Sequence, residues 1–118
     1  MGIKSGLSVG PIEVAASSTD TPIHAPGAFR TAVTASVITN NAAINVTVQI
    51  YESPNATSAS GELLETITLA PSEEQDVISI VGQGFQASQQ IIARVTTAAV
   101  ILGDVISKLS YTMYTGDS

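Results

Sequence analysis

The chain has no cysteine, no tryptophan, one histidine and four basic side chains in 118 residues. Each shortage excludes a kind of chemistry. Without cysteine there is neither a disulfide nor a thiolate metal site. His24 is the single imidazole, so a zinc site built on histidines lacks its second ligand. A Ser–His–Asp arrangement would have to use it, but its neighbours Pro22 and Pro26 make it read as a loop residue. Lys4, Arg30, Arg94 and Lys108 are scattered. They form no electrostatic footprint for nucleic acid and no basic amphipathic segment for a membrane surface.

Aromatics make up only 4% of the chain, too few for the aromatic-lined cleft of a glycosidase or a stacking-based sugar module. No apolar run approaches the ~20 residues of a membrane helix. The opening MGIKSGLSVGP lacks the apolar stretch of a secretory signal, so the chain is expected to be made and kept in a cytosol, or to leave it by lysis or inside a particle. Glu73-Glu74-Gln75-Asp76 clusters acids without the Asp-x-Asp-x-Asp-Gly spacing of a calcium loop and reads as a solvated turn. Gly82-Gln83-Gly84 is followed by no helix, so it reads as a turn and not a phosphate loop. The expectation is a chain that is not an enzyme, with no catalytic residues, cofactor or metal.

What is present is aliphatic and hydroxylated. The hydrophobic share is 44%, the charged share 12%, and the net charge −6. That charged share is about half the usual ~25%. The core must be built from Val, Ile, Leu and Ala. A low-charge, Thr-rich surface suits a protein packed into an assembly, and it equally suits a β protein whose outward strand positions favour Thr. The length suits one domain.

Ile44, Val46, Val48 and Ile50 alternate without a break against polar neighbours, the pattern of a half-buried strand. Val33, Ala35 and Val37 alternate more loosely before them. Asn40-Asn41-Ala42-Ala43 lies between, and the two runs read as one antiparallel hairpin. Glu52 to Gly61 reads as an exposed loop. Further strands are expected at Glu62–Leu69, Gln75–Val81, Gln89–Thr97 and Val105–Tyr114. In the first, Glu65 shares the parity of Leu63, Ile67 and Leu69, which implies a bend or an edge. In the second, the core face could be Ile78 and Ile80 or Val77 and Val81. In the third, Ile91, Ala93 and Val95 point inward, with Ile92 and Arg94 outward. In the last, Leu109, Tyr111 and Met113 share one face. No segment of ten or more residues keeps the spacing of an amphipathic helix. The expected fold is an all-β antiparallel sandwich, jelly-roll-like, of seven or eight short strands.

Two segments stand out as partner-binding candidates. Residues 1–14 read as an N-terminal arm ahead of a single sandwich domain at 15–118, with Ile3, Lys4, Leu7 and Val9 as contacts. A frayed terminus is the other reading of the same residues. Val100, Ile101 and Leu102 cannot all face one core, because neighbours in a strand point opposite ways. They either meet a partner or cap the end of the sandwich.

The order TASVITN, an Asn-rich turn, INVTVQIYE, a Ser/Gly loop, a Leu-rich strand, a Pro-Ser-Glu turn, DVISIVG and QQIIARVTTAA resembles small β-sandwich accessory proteins of tailed-phage virions. The resemblance covers roughly Thr31 to Tyr114 and is one of composition and strand rhythm. It implies a structural virion protein, foremost a capsid decoration or cement protein that binds and stabilises the assembled head. The alternative is a tail, neck or fibre β domain with a receptor- or carbohydrate-binding role. Implied partners are the major capsid protein or other virion subunits and further copies of the chain, most simply a homotrimer, with no nucleic acid and no membrane.

Overall fold

The period-2 alternation in the sequence becomes a two-layer sandwich in the computed structural model, which describes residues 2–86 and 88–115. Strands hold 57% of the residues and helix 3%. Nine strands form: β1 (Ile3–Glu13), β2 (Asp20–His24), β3 (Arg30–Asn40), β4 (Val46–Ser53), β5 (Glu62–Leu69), β6 (Glu74–Asp76), β7 (Gly84–Phe85), β8 (Gln90–Val95) and β9 (Val105–Tyr114). One sheet runs β1-β9-β3-β6, with β7 also paired to β3; the other runs β2-β8-β4-β5. All pairings are antiparallel. Leaving β7 aside, these are two four-stranded sheets with the early strands alternating between them, the jelly-roll arrangement. The count is nine against the expected seven or eight: β2 and the two-residue β7 were not read as strands, and most of β1 was read as an arm.

The core lies between the sheets and is aliphatic, as the composition requires. Val46, Val48, Ile50, Ile67, Leu69, Ile91, Ala93, Val95 and Leu109 are buried in it. All of these were legible as inward positions except where the chain changes register.

Four expectations need correction. The Val33–Ile50 hairpin does not form: β3 and β4 belong to different sheets. The Asn-rich segment is a corner between layers, held by the buried Asn40 side chain. Its amide donates to the carbonyls of Ile44 (2.9 Å), Leu69 (3.1 Å) and Ala70 (3.1 Å), and its Oδ1 accepts from Ala42 N–H at 2.8 Å. Secondly, Ala35 and Val37 leave the core, because a register shift between Val33 and Ala35 flips the parity and sends Ile38 inward instead. Thirdly, Gln75–Val81 is not a strand. Only Glu74–Asp76 pairs, and the chain then turns so that Val77 and Ile80 are buried while Ile78 stands 73% exposed.

The fourth concerns the segment read as an arm. Residues Ile3–Glu13 form the edge strand of the first sheet, paired with β9 from Ile3↔Tyr114 to Glu13↔Ile106. Two register shifts interrupt the pairing, one spanning Gly6 (φ 71°) and one spanning Gly10 (φ 109°). Glycine supplies the left-handed backbone such bulges use, and the bulges erase the alternation that would have marked the strand. Met1 and the last three residues of the polar tail lie outside the described residues.

Candidate functional site

Eleven-residue strands rising ~3.3 Å per residue are about 36 Å long. Overall extents are 48 × 27 × 20 Å, so the strands must run along the long dimension. The molecule therefore has two ends, and most of its exposed apolar and unpaired charged side chains sit there.

One end is a tip built by the loops at 15–19, 41–45, 70–73 and 96–104. Val100 is anchored in the core. Its carbonyl accepts from Ser17 N–H (3.1 Å), and its own N–H donates to Ser17 Oγ (3.1 Å). Ser17 Oγ donates to the Thr97 carbonyl. A turn closes over Ile101–Asp104: Asp104 N–H donates to Ile101 O (3.1 Å), and Ile101 N–H donates to Asp104 Oδ2 (3.0 Å). Asn41 N–H donates to Asp104 O at 2.7 Å. This bond sets the Asn-rich corner beside the turn. The anchoring holds Ile101 65% exposed, Leu102 61% and Ile44 44%. Glu13 flanks the turn, its carboxylate 3.8 Å from where a Cβ on Gly103 would lie.

The opposite end carries a shallow groove of about 330 Å³ bordered by Arg30, Thr31, Ala32, Gly84, Phe85, Gln86 and Tyr114. Ile3, Tyr114 and Arg30 form one cross-strand row, with Lys4 one row in, against Met113. Two of the four bases are therefore gathered here. Behind the groove lies His24. It is the last residue of β2 and is buried, correcting its reading as a loop residue. Its Nε2 is 2.7 Å from Thr31 Oγ1, and its ring packs against Phe85 (6.2 Å, edge-on) and Tyr111 (4.9 Å). Nδ1 has no partner among the described residues. Burial alone pushes the pKa down to about 4, so the ring is neutral at pH 7. The buried Thr31 hydroxyl is the one side-chain group bonded to the ring among the described residues.

On the outer face of the second sheet, Arg94 pairs with Asp20 at 2.9 Å. Burial raises the Asp20 pKa, but hydrogen bonds from Ser58 and from Arg94, with its positive charge, outweigh this and leave it lowered. Ser58 N–H donates to Asp20 Oδ2 at 2.8 Å, which pins the 54–61 loop to this face. Ile92, expected outward, does lie outside the inter-sheet core, yet it is fully covered. Its cross-strand neighbours are Pro22 and Tyr51. No group of three or more potential metal ligands occurs among the described residues.

The seven partner-binding candidates are thus divided. Ile3 and Lys4 lie at the groove end, Leu7 and Val9 along β1, Val100 in the core, and Ile101 and Leu102 at the tip. Of residues 100–102, Val100 caps the core and the next two stand exposed. Sequence reasoning missed Ile44, taken for a strand position, and the joining of Arg30 to Tyr114. No local signal marks either, since both depend on how distant strands pair. Comparison with protein-family models, curated proteins and solved structures gives no significant match.

Proposed function

We propose that this chain is a non-enzymatic structural virion protein, foremost a capsid decoration or cement protein that binds the major capsid protein or other virion subunits. The observation that carries the reading is the tip. Two large aliphatic side chains, Ile101 and Leu102, are held out into solvent by a hydrogen-bonded turn anchored through Val100. A rigid exposed apolar projection is a feature of surfaces that meet another protein. The jelly roll recurs in viral capsid and lectin domains, so it is compatible with this role without selecting it. The acidic balance suits an outer surface and disfavours contact with packaged nucleic acid.

A second reading, a tail, neck or fibre domain that holds a receptor or glycan, draws on Arg30, Gln86 and Tyr114 around the groove. Copy number separates the two. Hundreds of copies per purified particle support decoration; a few to tens support tail or fibre. Leu102→Asp should cut incorporation into particles by about tenfold, equivalent to ~1.4 kcal/mol of contact. Full incorporation of that variant would remove the tip from the reading, and absence of the wild-type chain from particles would remove the reading itself.

A further inference from the structure

We propose that copies of this chain join head to tail, the Ile101–Leu102 tip of one copy seating in the Arg30–Tyr114 groove of the next. The inference rests on the structural-subunit reading and adds to it a partner and a polarity.

The two ends differ in charge. Glu13 and Asp104 flank the tip; at the groove end Arg30 and Lys4 lie on the first sheet, with Glu52 and Glu62 across from them on the second. Among the described residues Arg94–Asp20 is the one ion pair, so none of these charges is paired there. Lys108 stands three residues in from the start of β9 on the outer face, ~10 Å from the tip end. Tip against tip would bring carboxylates together. Like-charge contacts of this kind select against a partner. Groove against groove would leave Ile101 and Leu102 uncovered. Only tip against groove pairs opposite charges while covering Ile101 and Leu102.

The sheet edges offer no competing route. β1 carries two bulges and Pro11, β2 carries Pro22 and a register shift, and β5 a register shift with Glu62 and Glu65. β6 and β7 are three and two residues long. These are the devices that keep sheet edges from pairing. Edge-to-edge pairing is thereby disfavoured.

The contact is small. An end of 27 × 20 Å offers less than the ~800 Å² per partner of a stable pair. Single contacts are therefore weak and accumulate only by repetition or on an assembled surface. A head-to-tail contact closes into a ring if its rotation permits and otherwise runs on as a fibre; a three-copy ring would meet the trimer expectation.

The test is sedimentation of the full chain at low salt up to concentrations on the order of 1 mM. Wild type should associate with increasing concentration. Leu102→Asp and Arg30→Glu, both on exposed side chains, should each remain monomeric. Their equimolar mixture should form a dimer and nothing larger, because one intact tip and one intact groove remain between them. Circular dichroism identical to wild type establishes that each variant is folded; Ile101→Ser and Lys4→Glu form an independent pair for the same mixing experiment. Wild type that stays monomeric, Arg30→Glu that associates like wild type, or mixtures that stay monomeric would each overturn the proposal. Particle incorporation is read separately. Variants that fail to mix yet incorporate at full copy number sink the head-to-tail contact and leave the structural role standing.

Discussion

Asn40 and His24 are the two buried polar side chains on which the inter-layer geometry turns. Asn40 closes the corner between β3 and β4 by serving three carbonyls and one N–H. Removing it strands buried carbonyls, each costing about 1–3 kcal/mol. Asn40→Ala should lower stability by about 3 kcal/mol in urea denaturation. Asn40→Asp should cost at least as much at neutral pH, because a carboxylate accepts but does not donate. His24 makes stability depend on pH. Its folded pKa of about 4 lies below the ordinary 6.5, so the unfolded chain binds the extra proton between those values. The contribution is complete above pH ~6.5 and is lost as pH falls toward 4. At ~1.36 kcal/mol per pH unit this is on the order of 3 kcal/mol. Urea midpoints at pH 7.5 and 4.5 should differ markedly for wild type and much less for His24→Gln. The lowered pKa of Asp20 acts in the same direction but in a more acidic window, below its ordinary 3.8, so the two effects separate.

At the scale of elements, β1 shows how a strand can be invisible to alternation and still matter. Its bulges keep Leu7 against Tyr111 and Val9 against Leu109 while Gly6 and Gly10 absorb the extra residues. Deleting residues 2–10 should make β9 an edge and uncover Leu109 and Tyr111. We expect a fall in Tm of more than about 5 °C, the shift that ~1 kcal/mol produces in a domain of this size. An unchanged Tm would return the segment to the status of an arm. The bulge in β3 works in the same way, carrying Val33 and Ile38 into one core although they differ in parity.

Over the whole molecule the pairing is dominated by distant partners. β1 at one terminus pairs with β9 at the other, and β3 pairs with β9 across about seventy residues of chain. Such topologies lose much chain entropy before the contacts that reward it form, so refolding is slow. Stopped-flow refolding should occur in milliseconds to seconds; a microsecond phase carrying the full amplitude would show that local structure organises the fold instead. Every sheet edge is short, bulged or proline-bearing, which disfavours assembly by edge pairing.

Alternation is a local property, and where it ran unbroken the sequence alone was sufficient. Val46–Ile50, Ile91–Val95 and Leu109 were assigned to the core from period 2, and the aliphatic composition required a core without large rings. The all-β class followed from the same rhythm. Four things depended on tertiary structure. The partner of each strand was one, since β3 and β4 have hairpin-like sequences but Asn40 turns them into different sheets. Bulges were another, because one inserted residue reverses every later side chain. The exposure of Ile44 and the burial of His24 against the distant rings of Phe85 and Tyr111 were the third. The last was the gathering of Arg30 with Tyr114 and of Asp104 with Asn41, which makes two chemically different ends out of residues that in the sequence stand scattered.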